Sequence, residues 1–399
     1  MTETLEWRTL ISKTLSGAEQ RIATRQYPRR TYEFTVIEWQ AERAKIEMFL
    51  RLFGAYNFYV PMWADAAPLL EVNYGQDLLA VDWRGMNFYS TQGSQLGLLI
   101  VWANSASYEI LEIVSIDDDG ITVDAGGSTW PIGTLVMPLQ LMRFADTPSQ
   151  TLVSAVVSSG TFSFVSAEAA FISTQTIFSS YQALLTGGLT FDNLPVYNVA
   201  PNDLDGPQNT YDRDTVELDS NTGLDRIIDV SGNSYRHQNY TAFITSPLLL
   251  GGLRYLLYNT LRGRQGAIWM PTFAADFIIA ADMINQYLNV YDTKYTSYAS
   301  LGGPMLGMQH IRIVATGGRV FYFKILSSYQ GGNLGTGYEV LVLNQGLVIP
   351  MTEVVMISLV SMMRLDQDAT SIVHQMPGGG MALAQMNFVD VLANILGAG

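Results

Sequence analysis

One stretch of this chain occurs twice, and the repeat limits the possible fold more than any single residue does. The first copy runs from Ile46 to Trp63 and carries Gly54 and Pro61. The second runs from Leu253 to Phe273 and carries Gly263 and Pro271. Each reads as a helix with apolar residues near i, i+3, i+4 and i+7, then a glycine stop, then an aromatic strand that ends in proline. A glycine can end a helix at positive φ, where other residues meet a Cβ clash, so both glycines are expected there. A proline lacks a ladder donor and suits a strand end or sheet edge.

The flanks repeat as well. Gly223-Leu-Asp-Arg226 echoes Gly17-Ala-Glu-Gln-Arg21, and Gln238–Thr245 echoes Tyr32–Ile37. Leu347-Val-Ile-Pro350 echoes Leu135-Val-Met-Pro138, and Met363-Arg364-Leu365 echoes Met142-Arg143-Phe144. The offsets drift slowly, from 263 − 54 = 209 through 271 − 61 = 210 to 363 − 142 = 221, as loop insertions produce. The expected fold is mainly β, with sandwich-like or barrel-like domains and one short helix per repeat. Two tandem related domains are expected, residues 1–200 and 201–399, of ordinary domain size. The second opens on an acidic loop, residues 201–234, dense in Asp, Asn, Gly and Pro, which reads as a long exposed loop with only short strands.

Between the echoes, Leu98–Trp102, Tyr108–Ile116, Ile121–Val123 and Thr134–Phe144 read as strands, and so do His310–Val314, Arg319–Leu326 and Tyr338–Leu343. Asp117–Gly120 reads as a hairpin turn. Ser371–Gln375 and Ala384–Val391 close the chain as strands around a Met376–Gly380 turn, and Leu392–Gly399 reads as a fraying or docking tail.

Charge and composition exclude several classes. The 399 residues hold no cysteine, which removes disulfides, thiolate metal sites and thiol nucleophiles. Charged residues make up 15%, below the usual ~25%, which points to surface covered by partner chains. The net charge of −14 lies in the middle. Residues 64–250 hold 21 acidic and 5 basic side chains, residues 1–63 hold 7 and 9, and residues 251–399 hold 8 of each. An acidic surface repels phosphate and argues against nucleic-acid binding, though not against DNA in transit. Apolar runs are too short to span a bilayer, and no signal peptide opens the chain, so it is expected to be soluble and made in the cytoplasm.

Candidate chemistry is sparse. His237, His310 and His374 show no ligand spacing and read as histidines with local hydrogen bonds. Glu109 and Glu112 are the nearest thing to a glycosidase pair, without anything to set their separation. Gly378–Gly380 precedes a strand rather than a helix and fails the dinucleotide test. Neither a metal nor a cofactor is expected, and a catalytic role is not. Arg25, Arg29 and Arg30 form the one basic cluster and read as ion-pairing residues of a subunit interface. Arg262 and Arg264 flank the second glycine stop. They are expected to meet acidic groups of an adjacent chain.

These residues, in this order, resemble the distal tail and tail-hub proteins of long-tailed bacteriophages and gene-transfer agents. The likeness rests on Ser16–Arg21 with Tyr27–Tyr32, on the helix and aromatic strand of Phe49–Trp63 and Leu257–Phe273, and on Met362–Asp368. It implies a structural component of the tail tip or baseplate, in the virion and assembled in the host cytoplasm. It further implies a ring of this chain, a trimer or a hexamer, that joins the tail tube protein to hub, fibre or receptor-binding proteins and lets DNA pass. A carbohydrate-recognition β-sandwich of a phage or bacterium, with an aromatic shelf at Trp83 or Trp102, is the alternative. A tail-associated glycan hydrolase is a third reading.

Overall fold

Alternating polar and apolar residues in Thr31–Ile37 put one face of a strand inward, and that strand starts the first of two matching sheets. The structure is a computed structural model. It describes residues 1–13, 19–86, 97–124, 127–167, 183, 185–186, 188–199, 201, 206–219, 223, 225–230, 234–302, 307–331, 334–376 and 381–391. Gly17, the Gly378–Gly380 turn and the Leu392–Gly399 tail lie outside the described residues.

The chain is mainly β, in large antiparallel sheets. In the first half, β1 (Thr2–Glu6) leads to β2 (Arg29–Trp39), helix α1 (Gln40–Phe53), β3 (Phe58–Pro61), β4 (Leu135–Phe144), β5 (Ser149–Leu152) and β6 (Val157–Ser166). In the second, β7 (Gln208–Asp212) leads to β8 (Tyr235–Thr245), helix α2 (Pro247–Tyr255), β9 (Ile268–Pro271), β10 (Val354–Leu365), β11 (Ala369–His374) and β12 (Met381–Asp390).

The pairings of the first set recur in the second. Strand β6 lies between β2 on one side and β4 with β5 on the other, and β4 also holds β3. Strand β12 lies between β8 on one side and β10 with β11 on the other, and β10 holds β9. The insert between β3 and β4 pairs Leu98–Asn104 with both β4 and Ser107–Asp117, and the latter with Gly120–Val123. The insert between β9 and β10 repeats this with His310–Ala315, Val320–Gln330 and Tyr338–Leu343. Even the bulge recurs, between Ile113 and Ser115 and between Ile325 and Ser327.

The repeat starts earlier than residue 235. Thr2 pairs with Glu33 and Gln208 with Asn239; 208 − 2 and 239 − 33 are both 206. The hairpin of Thr9–Lys13 and Glu19–Ala23 keeps the same spacing to that of Thr215–Asp219 and Asp225–Asp229, since Thr9 pairs with Ala23 and Thr215 with Asp229. Much of the segment expected to be a loop, residues 201–234, is therefore strand. Its strand residues are exposed, Val216 and Leu218 among them, and the surrounding Asp, Asn, Gly and Pro outweigh the short alternation of Thr215–Asp219.

The halves share one sheet and one core cluster at their junction, and the first half keeps smaller clusters of its own around Tyr32 and around Ile100. Strand β1 pairs with β2 on one edge and β11 on the other. Leu5, Trp7, Leu185 and Tyr197 pack with Leu253, Leu257, Met363 and Phe388 in a single buried cluster. Each insert has its own core, one around Trp83 and Ile121 and one around Ile311 and Leu341.

The two helices differ sharply. Ser246 caps α2, its hydroxyl accepting from the Leu249 amide at 3.3 Å. Pro247 sits in the first turn, where a missing donor costs nothing. A π-helical turn, Leu256–Leu261, continues it, and Leu250, Leu253, Leu256, Leu257 and Leu261 are all buried. Helix α1 has no side-chain cap and no buried residue. A third helix, α3 (Tyr295–Gly302), has weak apolar periodicity and was not expected. The glycine stops also differ. Gly263 has φ 66° behind Arg262 at φ 47°, as a left-handed stop requires. Gly54 has φ −58° and stays right-handed, contrary to expectation. Its value is space, because a Cβ there meets the Leu50 carbonyl oxygen at 2.6 Å.

Candidate assembly interface

The surface on which the first half meets the second is built on buried charge. Arg254, from α2, donates Nη2 to Glu3 Oε2 at 2.7 Å and Nη1 to Asp65 Oδ1 at 2.5 Å. His374, on β11, lies 3.1 Å from the same Glu3 oxygen, and the Tyr32 hydroxyl donates to Glu3 Oε1 at 3.4 Å. Arg30 donates to the Tyr32 hydroxyl at 3.4 Å. Glu3, Asp65, Arg254, Arg30 and Tyr32 are all buried. Burial pushes the Glu3 carboxyl upward, but Arg254 and His374 outweigh it and hold the group well below the usual range. Burial pushes the Tyr32 and Tyr258 hydroxyls far up, so both stay protonated.

Backbone pairing and further ion pairs frame this cluster. Thr4 faces Ser371 in the β1–β11 pairing, and their hydroxyls are 3.1 Å apart. Arg364 grips Glu19 with two bonds of 2.9 Å. Asp368 accepts from the Thr9 amide at 2.7 Å and from Arg264 Nη2 at 3.3 Å. Trp7 sits edge-on to Tyr258 at 5.8 Å and against the Gly263 turn, where an added Cβ comes within 2.8 Å of the Trp7 Cβ. Only glycine leaves room there for the indole.

The five arginines singled out from the sequence fall into different places. Arg30 and Arg264 find partners inside the chain: Arg30 in Tyr32 of its own strand, Arg264 in Asp368 and, across the halves, in the Thr9 carbonyl. Arg25 donates to the Glu6 carbonyl at 2.8 Å. Arg29 and Arg262 are exposed, Arg29 facing Glu6 in the β1–β2 register. The strongest cation of the interface, Arg254, was not singled out. A charged residue within an apolar helix was the available signal.

The other candidates have local roles. His237 lies 3.3 Å from Asp366, and His310 packs against Trp269 with the ring centroids 4.6 Å apart and the planes tilted by 57°, where burial lowers its pKa to about 4. Among the described residues, no group of three or more His, Asp or Glu is placed to hold a metal. Glu109 accepts from the Trp130 indole at 3.2 Å. Glu112, three residues along the same strand, points to the opposite face. Trp83 is buried and bonds the Asp117 carbonyl at 2.7 Å, so it forms no exposed shelf. Trp102 is half-buried and stacks on Tyr108.

A cleft of about 380 Å³ opens on the second half, lined by Tyr211, Arg236, Asp276, Met308, Leu359 and Asp390. Burial raises the Asp390 carboxyl to about 6, against the pull of Arg236, whose Nε is 3.8 Å away. The folded chain therefore holds this proton more tightly than the unfolded chain, whose value is near 3.8. Asp390 contributes stability below that value and loses it as pH rises toward 6. Asp390→Asn is expected to raise the unfolding free energy at pH 7.5 by about 1–3 kcal/mol and to leave it unchanged at pH 3.5. Urea midpoints at the two pH values check this.

No protein-family model matches the chain. No curated protein matches it either. Among the described residues, no helix is long and apolar enough to cross a membrane.

Proposed function

We propose that the chain is a structural component of a phage-type tail tip, a ring-building adaptor between a tail tube and the proteins below it. The observation that carries this is the repeated sheet whose two copies meet through an extensive buried interface. A surface that joins copies of one module inside a chain is the kind of surface that joins them between chains. The low proportion of charged residues fits a chain whose surface is largely covered. The acidic stretch 64–250 suits a wall past which DNA slides, since it repels phosphate. The ring consists of three or six chains, and DNA passes through it without being held.

Gold labelling of an epitope-tagged chain in purified particles tests the reading. The expected result is label at the tail tip of every particle. A chain that never copurifies with particles, and remains free in lysates, refutes it. A glycan array separates the recognition alternative: binding lost on replacing Trp102 or Tyr108 by alanine favours that reading instead.

A further inference from the structure

The internal interface has two sides, and each half displays in the open the side that the other half uses. In the first half, β1, the residues after Pro61 and the Thr9–Ala23 hairpin are used; in the second, α2, β11 and the end of β10 are used. The spacing of the repeat gives the counterparts. Residues 206 apart match in the openings, so Thr4 corresponds to Thr210 and Leu5 to Tyr211. Ser149 pairs with Thr161 and Ser371 with Gln385 in equivalent strands, so Ser149 corresponds to Ser371. Arg364 corresponds to Arg143 at the 221-residue spacing of β4 and β10.

Every counterpart lies open. Strand β7 pairs only with β8, and β5 only with β6, so among the described residues each leaves one edge without a strand partner. Tyr211 is 71% exposed where Leu5 is buried. Helix α1 exposes Met48, Leu52 and Phe53, where α2 buries its leucines. Arg143 is exposed. The cleft holding Asp276 and Asp390 opens beside Tyr211.

The geometry points to a second copy of this chain as the occupant: β7 and the cleft of one chain receive β5 and α1 of the next, in the register of the internal interface. Thr210 then faces Ser149 of the neighbour, the same residue types as the internal Thr4–Ser371 pair. Gln208 faces Thr151. Pro148 offers no donor, which limits the pairing to the residues that follow it. The Met48–Leu52–Phe53 face of α1 is covered. Arg143 meets the acidic hairpin of Thr215–Asp219 with Asp225–Asp229. The two sides differ, so the contact is head to tail and builds a ring wherever the rotation closes. This deepens the adaptor reading and rests on it for the biological setting only.

The test uses the absence of native cysteine. The full chain carrying Thr210→Cys and Ser149→Cys is oxidised and run without reductant. Facing residues in a strand pair lie close enough for a disulfide, whereas a shift of three residues adds roughly 10 Å. The expected result is a reducible ladder of dimers and higher multiples, with none for Thr210→Cys with Leu152→Cys or for either single variant. Leu52→Lys, tested in the uncrosslinked chain, is expected to weaken self-association at least ~10-fold while circular dichroism is retained. A folded double-cysteine chain that gives no ladder overturns the interface, whatever gold labelling shows. A ladder from a chain absent from particles upholds it and refutes the tail-tip setting. A chain that stays monomeric while a lipid surface or another protein covers α1 also overturns it.

Discussion

Arg254→Ala is expected to lower the unfolding free energy by about 3–5 kcal/mol, because it leaves two carboxylates buried without their cation. Glu3 and Asp65 both bond this guanidinium, and all three are inaccessible to solvent. Urea unfolding at pH 7 measures the loss. Replacing Glu3, Asp65 and Arg254 together by apolar residues of similar size should recover most of it, since burying the charges is itself costly. The deficit should also shrink in acid. Glu3 has a depressed value in the folded chain, so its contribution is present above the unfolded value of about 4.5 and is lost as pH falls through the folded one.

Trp7→Ala is expected to cost about 3–5 kcal/mol, the range for emptying a buried indole site. Trp7 follows β1, and its ring fills the space between Tyr258 and the Gly263 turn. The Trp7 amide also donates to the Asp368 carbonyl at 2.9 Å, so the residue fastens the first half to the second. A thermal melt of the variant should show a lower midpoint with one transition. Two separate transitions would mean that the halves fold as independent units, against the cluster they share. With Arg254→Ala the losses should fall short of additive, because both residues belong to one interface.

The regular part of the fold was legible because its strands alternate or run apolar. Tyr338–Leu343 was bounded correctly from the sequence, and the Met142-Arg143 echo in Met363-Arg364 marks matching positions of β4 and β10. The opening of the second copy was not legible as strand. Gln208–Asp212 and Thr215–Asp219 are exposed, so no buried face disciplines their sequence. The Gly54 stop misled for a local reason: glycine permits positive φ and does not impose it. The buried cluster was hidden by distance along the chain. Glu3 and Arg254 are 251 residues apart, and charged side chains are rarely buried without partners, so neither stood out alone. The arginines beside Gly263 looked outward-facing from sequence, yet Arg264 bonds Asp368 and the Thr9 carbonyl of its own chain. The expectation for both was an acidic partner on an adjacent chain; Arg262 is exposed.

In the proposed assembly one interface is used twice, once within the chain and once between chains. Electron-microscopy class averages of the purified full chain test it most directly. The expected image is a closed ring with twice as many similar lobes as chains, the spacing between lobes the same within a chain as between chains. Monomers at tens of micromolar, or a symmetric dimer in which like faces meet, would contradict it.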